Sequence, residues 1–148
     1  MNRMDGKDAL LETVGVGTPF LCALATVDDD GAPAVRFVRA KADPDGTLRI
    51  PTFVETAKVR QIRADARVHL TCGNTDAERP GTYFQVAGTA EITTDPAERE
   101  AAWTPRLEKW FSGPEDANYA VVTIRPILIV ALPIGRTGAP AIWRDGVA

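Results

Sequence analysis

Basic and hydroxyl side chains cluster between residues 36 and 58, and their spacing indicates a ligand site. The cluster consists of Arg36, Arg39, Lys41, Thr52, Thr56 and Lys58. Cations, hydroxyl groups and the free amide groups at the start of a helix are the groups that bind phosphate in proteins. The cluster therefore predicts a site for a small phosphate group. Solvated charges on the outer face of a sheet are an equally good interpretation of the same pattern.

The basic residues of this cluster cannot all face the same way along a regular strand. Successive side chains point to opposite faces, so Arg36 lies on one face, and Arg39 and Lys41 lie on the other. One ligand can contact both Arg36 and Lys41 only where the strand bulges or where the ligand wraps around the strand end.

The remaining reactive residue types predict neither a metal site nor a catalytic triad. His69 is the single histidine and lies between Val68 and Leu70 in a strand-like segment, so we expect a structural role for it. Cys22 and Cys72 lie in apolar segments, and their spacing matches no zinc or redox motif. We expect reduced, buried thiols.

Six strand-like segments form the framework that must position these residues. They span residues 18–27, 33–42, 47–53, 67–72, 82–94 and 120–134, and the sixth is expected to be the last. Turn sequences separate the first three, which predicts an antiparallel meander. Strands that follow one another without a helix after each favour a small antiparallel barrel. Gly88 predicts a bulge or a close backbone approach in the fifth strand, and Pro126 predicts a bulge or an edge in the sixth.

Three short helical segments accompany the strands. Apolar residues at helical spacing predict helices over residues 4–14, capping the barrel, and 55–64. A third helix begins at Asp95, with a proline at its first position, and runs toward Trp103. It is expected to break at Pro105.

Composition restricts the class of protein. At 148 residues the chain has the length of one compact domain, 1–148, and its net charge of -3 argues against a nucleic-acid partner, which requires a basic face. No apolar segment reaches the roughly 20 residues of a membrane span, and the N-terminal segment lacks the apolar core of a signal peptide. We expect a soluble, cytoplasmic protein with no membrane and no nucleic-acid partner.

Five sequence motifs carry a family resemblance. RFVRAK, PTFVETAK, VRQIRADARVHL, VAGTAEI and WTPRLEKWFSGP occur in this order. They resemble motifs of the FMN-binding split barrels related to pyridoxamine 5'-phosphate oxidase, and the last is similar to the general stress protein branch. The resemblance covers roughly residues 18–132. It implies a mainly β protein, a six-stranded antiparallel split barrel with short helices.

The resemblance assigns roles to residues of the phosphate cluster. It implies that Arg36 and Lys58 bind the phosphate of flavin mononucleotide (FMN) and that Thr56 donates its hydroxyl group. It places Thr52 along the ribityl chain or the flavin edge.

Further residues are implied near the flavin ring. The resemblance places the backbone of Phe37 and Val38 beside the isoalloxazine, and Lys41 matches the lysine that closes the RxxxxK pattern of the family. Tyr83 stands where the oxidase branch has a flavin-contacting glutamine, so this position departs from the pattern.

An aromatic segment is expected to reach the flavin from a second copy of the chain. In the family, FMN lies at a homodimer interface, and the resemblance implies contacts from Trp110 and Phe111 of the partner subunit, with Trp103 as a further candidate. Trp103, Leu107 and Trp110 also recur at helical spacing, which is typical of core or interface packing.

The resemblance leaves several functions open. An FMN-dependent oxidoreductase is the first, with a small-molecule substrate and an electron donor that the sequence does not identify. The Tyr/Arg/Ser series and the Arg-x-His element by which the oxidase branch reads pyridoxal phosphate are missing, so we do not expect oxidation of pyridoxamine phosphate. The alternatives are a non-catalytic flavin-binding stress protein, or a split barrel that uses a deazaflavin cofactor or haem.

Overall fold

One antiparallel sheet dominates the computed structural model, which describes residues 4–73, 76–79, 81–133 and 138–147. The strands in these ranges are β1 Phe20–Val27, β2 Pro33–Ala42, β3 Leu48–Phe53, β4 Arg67–Gly73, β5 Tyr83–Thr93, β6 Tyr119–Leu132 and β7 Ala141–Arg144. Their order in the sheet is β3-β2-β1-β4-β5-β6-β7, and β3 also pairs with β6. Strands β1–β6 therefore close into a six-stranded antiparallel barrel, which confirms the predicted fold class.

The sequence pattern does not predict β7. This strand pairs with the second half of β6, from Leu128↔Arg144 to Ala131↔Ala141, and extends the sheet beyond the closed barrel. The expectation that the sheet ends with the sixth strand is therefore wrong. A strand of 4 residues is too short for a period of two to be recognised in the sequence.

The helices follow the predicted boundaries closely. They are α1 Gly6–Val14, α2 Ala57–Ala64 and α3 Pro96–Ala102, and a 3-10 turn, Pro105–Lys109, follows α3. Asp5, Thr56 and Asp95 cap their N-termini with side-chain oxygens. Helix α1 packs on β6 and β7 and contributes Leu10 to the barrel core. The predicted break at Pro105 separates α3 from the 3-10 turn.

Alternate side chains of the strands fill the barrel interior. Leu24, Leu70, Val86 and Ile124 are almost fully buried and belong to one apolar cluster. Burying a side chain of this size stabilises the fold by about 1.5–3 kcal/mol. The alternation fixes which residues of each strand face inward, so it also fixes which polar side chains the interior must accommodate.

A second apolar cluster covers the outer face of β6. It consists of Ala102, Phe111, Tyr119 and Val121, with Trp103 and Leu107 packed against it. As a result β6 is buried on both faces from Tyr119 to Ile124. Arg49 of β3 forms an ion pair with Glu98 of α3, so a charged contact also holds this segment on the barrel.

The irregularity predicted in the last two barrel strands is a β-bulge. The ladder between β5 and β6 shifts at Gly88, which pairs with Pro126 and leaves Ile127 as the extra residue. A Cβ atom on Gly88 would lie 2.7 Å from the carbonyl oxygen of Arg125. Glycine is therefore required because the backbones approach closely, as the sequence predicts.

The barrel is split between β2 and β3. Two residue pairs, Lys41↔Arg49 and Ala42↔Leu48, form the whole ladder between these strands. Beyond them β3 continues along β6, whereas β2 continues along β1. In the described part of the chain, the far edge of residues 33–40 has no neighbouring strand.

The sequence predicts a loop over residues 74–81, and this segment lies only partly within the described residues. The end of the sixth strand, expected at residue 134, lies outside them. Within the described ranges, no helix has both the length and the apolar character needed to cross a membrane.

Candidate functional site

A cleft occupies the split between β2 and β3. Residues 36–39 of β2 form one wall, residues 51–53 of β3 form the other, and Lys58 of α2 also lines it. The segment after α3 adds Trp110 and Phe111. The cleft has a volume of about 320 Å³, which is in the range of small-molecule sites. It brings together four residues of the predicted phosphate cluster, Arg36, Arg39, Thr52 and Lys58.

Neutral oxygens hold the side chain of Arg36. Its NH1 donates to Oγ1 of Thr26 at 2.6 Å, and its NH2 donates to Oε1 of Gln61 at 2.9 Å. Longer bonds run from NH1 to the carbonyl oxygens of Leu24, at 3.3 Å, and Ala34, at 3.4 Å. Because none of these acceptors is charged, the positive charge of the guanidinium is not neutralised.

Lys58 reaches the same cleft from the first turn of α2. Its Nζ donates a hydrogen bond of 2.6 Å to Oγ1 of Thr52, which is buried in the wall. Burial lowers the pKa of Lys58, and the charge of Arg36 lowers it further. Burial also lowers the pKa of Arg36. Over the described ranges neither cation pairs with a carboxylate, so an anionic ligand would stabilise both.

The free edge of β2 offers backbone hydrogen-bonding groups to the cleft. In an antiparallel strand, alternate residues direct their N–H and C=O groups to the same edge. Since β1 occupies one edge of β2, every second residue from 34 to 40 turns these groups toward the split. Phe37 and Val38, which the resemblance places beside the flavin ring, lie in this stretch and line the cleft.

Lys41 does not line the cleft that holds Arg36 and Lys58. Its Nζ donates to the carbonyl oxygens of Ala101, at 3.1 Å, and Trp103, at 3.4 Å. These carbonyls belong to the C-terminal end of α3, which attracts cations. Strand alternation places Lys41 and Arg36 on opposite faces, and no bulge in β2 brings them together. In this structure Lys41 binds the end of α3 and does not line the cleft.

Two other predicted residues lie outside the cleft of their own chain. Thr56 caps α2, where its Oγ1 accepts a hydrogen bond of 3.3 Å from the backbone N–H of Val59. Tyr83 begins β5 and pairs with Gly73 and Leu132. Strands β1 and β4 separate β5 from β2 in the sheet.

The aromatic residues after α3 pack beside the cleft of their own chain. Phe111 is buried, with ring centroids 4.7 Å from Phe53 and 5.0 Å from Tyr119. Trp103 packs against Tyr119, with ring centroids 5.4 Å apart. Trp110 is 53% exposed and lines the cleft. Trp110 and Phe111 thus line the cleft of their own chain, and the contacts with a partner's flavin that the resemblance implies stay a prediction.

A larger cavity adjoins the cleft and shares Arg39, Pro51, Leu107 and Trp110 with it. Its volume is about 510 Å³. Its lining is mainly apolar but includes the cations Arg39, Lys41 and Arg106. The cavity therefore suits a partly apolar molecule that carries negative charge.

Other reactive side chains lie away from the cleft. His69 is exposed on β4, and the described residues contain no group of three His, Cys, Asp or Glu side chains placed to bind a metal. Cys22 and Cys72 are free and buried, and burial raises the pKa of each thiol to about 12. Thiols with so high a pKa are poor nucleophiles at neutral pH.

Sequence reasoning misses Thr26 and Gln61, which hold Arg36. Both residues carry a signal that could have revealed them. Thr26 is a polar residue at an inward position of the apolar strand β1. Gln61 follows Lys58 by three residues, which places the two side chains on the same side of α2.

The geometry of the split barrel agrees with comparisons to known proteins. The family model described as pyridoxamine 5'-phosphate oxidase matches residues 10–131. The chain belongs to this family. It is 34% identical over 130 residues to general stress protein 26 of Bacillus subtilis strain 168. The aligned region covers 85% of this chain and 87% of that protein. The predicted family and its general stress protein branch are thereby confirmed.

Solved structures share the fold of this member of the pyridoxamine 5'-phosphate oxidase family. General stress protein 26 from Bacillus anthracis strain Sterne is 25% identical, with a TM-score of 0.73 over 91% of this chain and 98% of that one. A heme binding protein from Mycobacterium smegmatis shares the fold at 16% identity and a TM-score of 0.74, over 97% of this chain and 60% of that one. An F420 reductase shares the fold at 23% identity and a TM-score of 0.59, over 80% of this chain and 94% of that one.

Proposed function

We propose that this family member binds FMN in the cleft between β2 and β3 and uses it for oxidation and reduction. The observation that carries the proposal is the convergence of Arg36 and Lys58 on a cleft without a carboxylate to balance them within the described ranges. A phosphate group offers close to two negative charges and several acceptor oxygens to such a pair. FMN carries this group at the end of its ribityl chain.

The other cleft residues fit the rest of the cofactor. The buried hydroxyl of Thr52 lies beside Lys58, where it can bind the phosphate or the ribityl chain. The unpaired edge of β2 at Phe37 and Val38 offers N–H and C=O groups to the polar edge of a flavin ring. Trp110 supplies an exposed aromatic surface for a flat ring.

The protein's contribution to the chemistry is binding and orientation. Bound FMN supplies hydride or electron transfer, so the side chains need not act as acid or base. We place the electron donor or acceptor in the adjoining cavity, beside the cleft that would hold the ring. Arg39 and Arg106 line this cavity and make no hydrogen bonds through their guanidinium groups to described residues, which favours an anionic reactant. We do not expect pyridoxamine phosphate to be that reactant.

We further propose a homodimer with FMN at the interface. Leu21, Val35 and Phe37 are 60%, 70% and 75% exposed on the outer face of β1 and β2. The register places Ala23 opposite Phe37 and Ala25 opposite Val35, so the apolar surface is continuous. Phe37 also lines the cleft, and a partner on this face would therefore cover the flavin. A two-fold symmetric pair would contain two equivalent sites.

The two cysteines bear on the compartment. Cys22 and Cys72 are unpaired and buried. Free thiols are typical of reducing compartments, which supports a cytoplasmic protein.

Haem and deazaflavin remain the second candidates because split barrels named for them share the fold. Haem iron needs an axial His, Cys, Met or Tyr side chain, and the described cleft lining contains none of these. His69 lies exposed on β4. A deazaflavin would require the same kind of cleft as FMN, so mass and spectrum must separate the two.

The identity of the cofactor tests the proposal directly. The protein is purified, denatured and analysed by mass spectrometry for released small molecules. We expect FMN, with one molecule bound per chain when the stripped protein is titrated. Release of a deazaflavin or haem, or failure to bind added FMN, would contradict the proposal. Turnover of NADPH with an added acceptor then distinguishes an oxidoreductase from a non-catalytic flavin carrier.

A further inference from the structure

Thr26, Arg36 and Gln61 form a closed hydrogen-bond network behind the cleft. Thr26 is buried on the inner side of β1, Arg36 lies on β2, and Gln61 lies on α2. Oγ1 of Thr26 donates to Oε1 of Gln61 at 2.6 Å and accepts from NH1 of Arg36 at 2.6 Å. NH2 of Arg36 donates to the same Oε1 at 2.9 Å.

The donors in this network determine how its side chains are oriented. Arginine has only donors, so the atoms of Thr26 and Gln61 that face Arg36 must be acceptors. The hydroxyl hydrogen of Thr26 is thereby directed to Gln61, and the side-chain amide of Gln61 must present its oxygen. Nε–H and the second hydrogen on NH2 of Arg36 have no acceptor in the described ranges, so they are available to a ligand.

We propose that Gln61 and Thr26 are positioning residues that fix Arg36 for the cofactor phosphate, and that the neutrality of Gln61 sets the preference for a phosphorylated flavin. This inference rests on the proposed function. It assigns a role to two residues that do not line the cleft themselves.

The oxygens of Gln61 and Thr26 that bind Arg36 are uncharged, and this leaves the charge of the guanidinium uncompensated. A carboxylate at position 61 would hold the guanidinium equally well, because glutamate has the same length as glutamine and an oxygen in the same place. It would also cancel the charge of Arg36 and repel a phosphate. Gln61 immobilises Arg36 and leaves its charge available to the ligand. The same helix carries Lys58, so α2 delivers one phosphate-binding cation and orients the other.

Substitutions at position 61 separate orientation from charge. Gln61→Glu keeps the acceptor and adds a negative charge, whereas Gln61→Met removes the acceptor at similar length and helix propensity. Arg60→Gln is the matched control, since it changes the net charge by the same amount on the exposed side of α2. The full chain is stripped of cofactor, and the affinities for FMN and riboflavin are measured by fluorescence titration. Circular dichroism and thermal unfolding verify the fold of each variant.

We expect Gln61→Glu to weaken FMN binding about tenfold or more and to change riboflavin binding by less than about twofold. Gln61→Met should weaken FMN binding about threefold, because Thr26 and the two carbonyls still hold Arg36. Arg60→Gln should retain nearly the wild-type preference. In an Arg36→Met background, Gln61→Met should cause no further loss of FMN affinity, which a merely structural role would not predict.

The failure of this inference can be distinguished from failure of the proposed function. If the wild type prefers FMN over riboflavin and both variants at position 61 keep that preference, the inference is overturned while the phosphate site stands. Equal losses for the two ligands in Gln61→Glu also overturn it, because they show an effect on the fold or the ring site. If the wild type binds both ligands equally or neither, the phosphate site and this inference fall together.

Discussion

Nζ of Lys58 donates a hydrogen bond of 2.6 Å to Oγ1 of Thr52 and so joins α2 to the buried side of β3. An ammonium group has three donors, and two remain available after this bond. The acceptor is neutral, so the charge of Lys58 is not cancelled. Arg36 contributes a second uncompensated charge to the same cleft. Together with the exposed Arg39, which also lines the cleft, these two cations favour an anionic ligand.

The first prediction concerns the phosphate group. Lys58→Ala and Arg36→Ala should each weaken FMN binding by about 1.5–3 kcal/mol, the value of a charge-assisted hydrogen bond. Riboflavin has the same ring but no phosphate, so its affinity should hardly change. Fluorescence titration of the stripped protein with both ligands gives the comparison.

Arg39→Ala is the control for this prediction. Arg39 also lines the cleft, but it is exposed on the face of β2 opposite Arg36, so its removal should affect FMN binding less than removal of Arg36. All variants should remain folded, since exposed or half-buried cations contribute little to a core. Equal losses for FMN and riboflavin would show that the substitutions act on the ring site or on the fold.

The second prediction follows from the pKa of Lys58, which burial and Arg36 lower from its ordinary 10.5. As the pH rises from the lowered pKa toward 10.5, the folded protein releases this proton before the unfolded chain does. The contribution of Lys58 to stability therefore increases over this range and is lost as the pH falls. We expect the free energy of unfolding of the apoprotein, relative to Lys58→Met, to rise with pH in urea titrations.

Bound FMN provides the control for the pH experiment. The phosphate stabilises the charged form of Lys58, so the rise should disappear in the holoprotein. If the free energy of unfolding of the apoprotein differs between wild type and Lys58→Met by the same amount at every pH, the inferred electrostatics of the cleft are contradicted.

Local sequence rules predict the elements of the barrel because each depends on neighbouring residues. Turn residues and alternation locate β1 to β6, and Pro105 ends the helix that begins at Asp95. The neighbours of a side chain depend on distant segments instead. Alternation places Lys41 on the outer face of β2, but the carbonyl groups that bind it lie about 60 residues further along the chain. The sequence therefore predicts the residue types of the site but not the hydrogen-bond partners of its side chains.

The third prediction concerns the dimer. Phe37→Asp should give a monomer in light scattering at micromolar concentration, because it places a charge in the exposed apolar face of β1 and β2. FMN affinity should fall as well, since the partner no longer covers the cleft. Ile142→Asp changes a half-exposed residue of β7 and should remain dimeric. A monomeric wild type would contradict the proposed assembly.

The fourth prediction tests the bulge between β5 and β6. Gly88→Val should destabilise the protein by about 2–3 kcal/mol. A Cβ atom at this position would meet the carbonyl oxygen of Arg125 at 2.7 Å and Cγ2 of Ile124 at 3.1 Å. Thr89→Val changes the exposed neighbour without adding volume and should have little effect in thermal unfolding. If both variants unfold at the wild-type temperature, the close approach is not present.

The fifth prediction distinguishes the role that the structure gives Lys41 from the one implied by its family pattern. Lys41 donates to the carbonyl oxygens of Ala101 and Trp103 at the C-terminal end of α3, where backbone carbonyls lack partners within the helix. Lys41→Met should therefore lower the free energy of unfolding by about 1 kcal/mol, and Lys41→Arg, which keeps the charge and donors, should restore most of it.

The two flavins separate these roles of Lys41. If Lys41 acts only through α3, Lys41→Met should weaken FMN and riboflavin binding to the same small extent, because Trp110 and the cavity wall shift for both ligands. A lysine that contacts the phosphate would instead show a selective loss of FMN affinity, as expected for Arg36 and Lys58. Such a loss in Lys41→Met, with stability unchanged, would mean that the side chain leaves α3 when the cofactor binds.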